Sequence, residues 1–245
     1  MKVLIRNGRV VDPASGRDEI GELALAEGRI CESFAGKPER VIDAKGLVVA
    51  PGLIDLSARL REPGFEHKAT LESEMDAAVA GGVTSLACPP DTDPPLDEPG
   101  LVDMLRRRAK ALSRARVYPV GALTVKLAGE RLTEMAELAE AGCVAFSQAN
   151  APLSDTQVLW RALQYAATFG FPVWLRAEDL WLARGGVAHD GDNLNARDVG
   201  HSSGDRSGTR PGRRDWLADA STQAGPRRPA PLGLAFSAAR AAPTA

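Results

Sequence analysis

Residues 51–95 read PGLIDLSARLREPGFEHKATLESEMDAAVAGGVTSLACPPDTDPP, and the order of signals along this stretch decides the fold. Leu53–Ser57 is a continuous apolar run of strand type, and Thr70–Ala80 has helical character. Gly81–Gly82 follows as the stop expected just beyond a helix C-terminus, and Thr84–Cys88 is the next strand. Neither strand alternates polar with apolar residues, so both belong to a sheet covered on its two faces.

Outward from this stretch the rhythm repeats. Leu101–Ala115 reads as a helix with a basic face, and Val117–Leu123 as a third strand. A helix over Thr133–Ala141, closed by Gly142, leads to a fourth strand, Val144–Ser147. Ser154 with Gln157 three residues on has the form of a capping box for a helix running to Phe169, and Pro172–Leu175 is a fifth strand. Five such strands separated by helices define an α/β protein with a parallel sheet, either a TIM barrel or an open doubly wound sheet. Periodicity does not choose between the two. No glycine-rich phosphate loop follows any strand, which weakens a nucleotide-binding reading. Upstream, Val3–Ile5, Arg9–Asp12, Leu23–Ala26 and Leu47–Ala50 predict a small β-structure over residues 1–50, before the main domain.

The chain of 245 residues is 44% hydrophobic with a net charge of −2, which suits a globular core and argues against a nucleic-acid or anionic-membrane footprint. No early apolar stretch has the length of a signal peptide or a membrane span, so the expected location is the cytoplasm. Cys31, Cys88 and Cys143 are odd in number and widely spaced, and read as buried reduced thiols rather than a disulfide framework or a zinc knuckle.

The 51–95 block resembles type I dihydroorotases, of the amidohydrolase superfamily, and the similarity continues through GALTV, AFSQAN and LRAEDLWLARGG, covering roughly Met1 to Gly191. The resemblance implies a TIM (β/α)8 barrel, here partial, carrying a small β-sandwich built from both chain ends. The corresponding divisions are a sandwich fragment at 1–50, the N-terminal part of the barrel at 51–191 and a tail at 192–245. The implied reaction is the zinc-dependent, reversible cyclisation of N-carbamoyl-aspartate to dihydroorotate in pyrimidine biosynthesis, at the C-terminal ends of the barrel strands.

The family's metal ligands fall on residues that are not ligands. Its first two histidines correspond to Ser57 and Arg59, a carboxylate serving the metals to Gln148, and a further histidine to Arg176. A guanidinium has no lone pair to donate and repels the ion. Without zinc there is no activated hydroxide, so no catalytic residue and no cofactor are expected. At the substrate-binding positions Arg61 matches the family's carboxylate-pairing arginine, while Asp91 and Asp93 stand where the family has amides; an ionised aspartate only accepts hydrogen bonds and repels an anion. Lys126 is displaced from the family's lysine position. Arg59, Arg61 and Arg176 are expected to form a salt-bridge cluster with Glu62, Asp91, Asp93, Glu178 and Asp179, the alternative being a repurposed anion pocket. His67 is expected to face solvent, and His189 and His201 have no partners at ligand spacing.

Ligands lost as a set point to the non-catalytic dihydroorotase-like subclass, whose members assemble with aspartate carbamoyltransferase as structural partners, with a family-type oligomer possible. An active cyclic amidohydrolase with an unusual site is the alternative. Residues 192–245 contain no Lys or Ile, carry eight Arg, and half of them are Gly, Ala, Ser or Pro. This composition predicts a tail without strand or helix, either disordered or the product of a frameshift. A truncated barrel would expose its sheet edges and lower solubility.

Overall fold

A computed structural model describes residues 1–176 and the backbone of a strand at Phe236–Arg240. The N-terminal sheet is built on β1 (Lys2–Asp12), which pairs antiparallel with β2 (Arg17–Ala26). The two strands expected at Val3–Ile5 and Arg9–Asp12 are therefore one, its register shifting between Ile5 and Gly8 with Asn7 at φ +61°. Asparagine tolerates that left-handed conformation, so the strand bends without ending. β3 (Arg29–Cys31) extends the sheet beyond β2, while β4 (Arg40–Asp43) and β5 (Leu47–Pro51) run parallel to successive halves of β1. Val3, Ile5, Val10, Leu23, Ala44 and Val49 form its core.

A second sheet begins at β6 (Leu53–Asp55) and continues through β7 (Val83–Cys88), β8 (Arg116–Ala122), β9 (Ala145–Ser147) and β10 (Val173–Trp174). The strands follow chain order and every pair is parallel. Between them run α1 (Leu71–Ala80), α2 (Pro99–Leu112), α3 (Met135–Ala141) and α4 (Thr156–Phe169). One core cluster joins helix residues Met75, Leu105, Leu138 and Ala162 to Leu86 and Phe146 on the strands. A second cluster holds the smaller Ala87, Val120 and Ala145, with Trp174 packed against them. Bulky residues thus meet the helices, and small ones leave room inside a curled, half-barrel sheet.

Three local expectations change. The first barrel strand spans only Leu53–Asp55, and Leu53, Ile54 and Leu56 are 61%, 52% and 62% exposed. Within the described residues β6 has one neighbour, β7, so its apolar run lies on an open edge rather than between two strands. The N-cap of α4 is Asp155, not Ser154: its carboxylate accepts from the backbone N–H of Gln157 at 2.7 Å and of Val158 at 3.4 Å. Phe236–Arg240 forms β11, antiparallel to β5, so the strand-free character expected of residues 192–245 does not extend to these five. β5 would otherwise present an unpaired row of backbone donors and acceptors there. The rest of that expectation lies outside the described residues. No helix among the described residues is long and apolar enough to cross a membrane.

The loops after β6 and β7 touch through Gly64, at φ +96°, where a Cβ would fall 2.2 Å from the Asp93 carbonyl oxygen. Gly46 has a similar φ of +77° with nothing within 4 Å of its Cβ direction. Gly46→Ala is expected to lower stability by about 1 kcal/mol through conformation alone, and Gly64→Ala by at least about 2 kcal/mol because backbone must also move. Urea unfolding of the two variants checks the order; equal losses would mean the loop contact is soft.

Candidate functional site

Chain leaving β6 turns over the C-terminal ends of the strands and delivers Ser57 and Arg59 to one rim of a cavity of about 790 Å³. The Ala58 N–H donates to the Ala87 carbonyl at 2.9 Å, and the Ser57 N–H to Asp55 Oδ1 at 2.8 Å, which fixes this segment against β7. Ser147, Ala149 and Asn150 line the cavity from the end of β9, and Phe171, Trp174 and Arg176 from β10 and its flanks. Three of the four positions expected to correspond to the family's metal ligands, Ser57, Arg59 and Arg176, therefore share one cavity.

Arg59 donates from Nε to Asp91 Oδ2 at 2.7 Å, linking the loops after β6 and β7, with the two side chains 31% and 26% exposed. The charge of Arg59, at an expected ligand position, is thus offset by that of Asp91, at an expected amide position. Arg176 Nη1 donates to Asn150 Oδ1 at 3.3 Å. Gln148 lies beside the cavity, buried, and is not part of its lining. Its Nε2 donates to the Leu127 carbonyl at 2.9 Å and lies 2.8 Å from the Thr124 hydroxyl, whose oxygen is 3.0 Å from Gln148 Oε1 and accepts from the Gly129 N–H at 2.9 Å. This neutral network holds the loop after β8.

Of the broader salt-bridge cluster expected here, the described residues show the Arg59–Asp91 pair, and two of its expected carboxylates, Glu178 and Asp179, lie outside them. Glu62 turns away from the rim: it is buried, pairs with Arg108 of α2 and accepts from the Leu71 N–H at 3.0 Å, at the start of α1. A buried carboxylate needs such compensation, and a helix N-terminus supplies part of it. Arg61, half-buried at φ +62°, and Asp93, exposed, lie in the two touching loops, and neither lines the cavity or makes an ion pair among the described residues. The Asp93 N–H donates to the Pro63 carbonyl at 3.1 Å. His67 is exposed, as expected, while Glu178, Asp179, His189 and His201 lie outside the described residues.

The donors present do not fit zinc. Two positions carry guanidinium groups, which offer no lone pair, and the Gln148 amide is committed on both of its ends. Among the described residues no group of three or more His, Cys, Asp or Glu side chains could hold a metal ion. A thiol does not take over either. Cys88, at the end of β7 near Arg59 and Asp91, is 1% exposed, and burial pushes its pKa up to about 12. Asn150 and Ala149, the latter at φ +50°, were not signalled by their residue types: an alanine gives no hint of a left-handed turn, and an asparagine after a strand reads as loop.

A family profile described as "Dihydro-orotase-like" matches residues 46–201. The chain belongs to the dihydroorotase-like family. It is 46% identical over 195 residues to a protein of Pseudomonas aeruginosa named "Dihydroorotase-like protein", covering 78% of this chain and 46% of that protein. It is 43% identical over 194 residues to a "Dihydroorotase" of Syntrophotalea carbinolica, with the same coverages of 78% and 46%. The chain thus spans about half the length of these curated relatives. Among solved structures, L-hydantoinase (dihydropyrimidinase) from Arthrobacter aurescens superposes with a TM-score of 0.64 at 20% identity, over 74% of this chain and 42% of that one. A D-hydantoinase gives 0.58 at 22% identity, over 75% and 41%. This places the half-barrel sheet among amidohydrolase-type folds.

Burial also pushes the Cys143 thiol up to about 12, whereas Cys31, expected to be buried, is only partly so because β3 is the sheet's outermost strand. At pH 8 a thiol of pKa near 12 is ionised to roughly one part in ten thousand. A disulfide reagent is therefore expected to label Cys31 in the native protein, and Cys88 and Cys143 only after denaturation. Peptide mapping of the labelled chain reads the order, and early modification of Cys88 would reopen a nucleophilic role for it.

Proposed function

We propose that this chain is a non-catalytic member of the dihydroorotase-like family, acting in pyrimidine biosynthesis as a structural partner of aspartate carbamoyltransferase in the cytoplasm. The carrying observation is the Arg59–Asp91 ion pair at 2.7 Å. It joins a replaced ligand position to a replaced amide position, and each charge offsets the other. A lesion that inactivated an enzyme at random would strike one ligand and leave its surroundings unadapted. Here Ser57, Arg59, Gln148 and Arg176 differ together, and Gln148 is built into a satisfied network that a carboxylate could not maintain, since Leu127 presents a carbonyl oxygen to it. The chain covers 46% of the Pseudomonas aeruginosa relative, so an assembly role of a whole protein of that length comes to this chain only as a proposal.

A second reading is an active zinc-dependent dihydroorotase, interconverting N-carbamoyl-aspartate and dihydroorotate. Its support is the 43% identity to the Syntrophotalea carbinolica protein named dihydroorotase. Elemental analysis of protein expressed in zinc-supplemented medium separates the two readings. The non-catalytic reading requires far less than one zinc per chain, whereas about one or two per chain, as a working site of this type would hold, favours the enzyme. Co-expression with the cognate transferase is expected to yield a complex in a defined ratio. Transferase that purifies alone and assembles normally without the chain would remove the partner role.

A further inference from the structure

The basic face of α2 takes no part in the cavity at the strand C-termini. Its C-terminal half lines a separate groove of about 620 Å³, together with Thr84 at the start of β7 and Arg116 and Tyr118 at the start of β8. The groove therefore lies at the N-terminal end of the sheet, opposite the family's reaction face.

Its cations are unequally matched. Arg107 pairs with Asp103 at 3.6 Å, and Arg114 with Asp76 at 3.0 Å and Glu72 at 3.8 Å. Arg106 donates to the Ala141 carbonyl and has no ion-pair partner among the described residues. Lys110 and Arg116 make no ion pair or side-chain hydrogen bond among the described residues. Three positive charges without an ion-pair partner among the described residues face one groove, whose lining carboxylate, Asp103, is held by Arg107. The C-terminus of α2 opposes them with only about half a negative charge, which falls off within a turn.

Hydroxyl groups point to the same conclusion. Thr84 is 9% exposed, yet its hydroxyl has no hydrogen-bond partner among the described residues, and the half-buried Tyr118 hydroxyl has none either. Buried polar groups are almost always satisfied, so an orphaned hydroxyl inside a cationic groove marks a place where an acceptor belongs. Two guanidinium groups, an ammonium and two hydroxyl donors match the several oxygens of a phosphoryl group, and the volume is that of a small-molecule site. We propose that this groove binds a small phosphorylated anion, held by Arg106, Lys110 and Arg116 with Tyr118 and Thr84 as neutral donors.

Pyrophosphate is the probe, titrated calorimetrically into the full chain, with sulfate at matched ionic strength as comparator. Saturable binding is expected, weakening with salt, and at least about tenfold weaker in the Lys110→Ala/Arg116→Ala double variant. Tyr118→Phe is expected to weaken it about threefold with the unfolding midpoint unchanged, because the lost hydroxyl has no intramolecular partner. No saturation up to about 10 mM, or equal affinity in the double variant, overturns the proposal. So does pyrophosphate binding that disappears in Arg176→Ala, which would place the anion in the other cavity. Tighter, variant-sensitive binding of polyglutamate would assign the groove to an acidic polypeptide instead.

Discussion

Parallel strands cannot be joined by a tight turn, and each one here is reached through a helical crossover that must also cover the face it passes. The rest of the second sheet follows from that constraint. Leu86 and Phe146 face the helix layer and meet Met75, Leu105 and Leu138, so strand and helix bury each other. The opposite face carries Ala87, Val120 and Ala145, small enough for the sheet to curl around a cavity. Because all strands run one way, their C-terminal ends gather on one rim, and residues far apart in the chain, such as Ser57 and Arg176, come to line the same space.

On that rim electrostatics does the work that coordination does in a metal site. Arg59 and Asp91 tie the first two loops, and the Gln148–Thr124 network ties the next two. Beneath them Glu62, buried and paired with Arg108, pins the loop after β6 to both α1 and α2. A buried carboxylate contributes net stability only when its partners are complete, so removing either partner of Glu62 would be costly.

Much of this was legible in the sequence because strands and helices alternate with glycine stops at Gly81–Gly82 and Gly142, and the replaced ligand positions are visible as residue types. Other parts were not. β3 and β4 are three and four residues long and partly polar, too short to carry a period. The bulge that joins both halves of β1 hides in Asn7 and Gly8, which read as a turn. Leu53–Ser57 looks buried because an apolar run does not say how many neighbours a strand has. The Glu62–Arg108 pair joins residues with no local relation, and only the packing of α2 against the loop brings them together.

The Gln148 amide resists replacement by a metal-binding carboxylate. An aspartate at that position would turn its charge toward the Leu127 carbonyl and abandon the donors that hold Thr124 and the loop after β8. Arg59→His would take from Asp91 the guanidinium it pairs with. Each single substitution toward a metal ligand loses an existing interaction before any metal can repay it, so several positions would have to change together. The arrangement behaves as an interlock, in which each contact on the rim constrains what its neighbours can become.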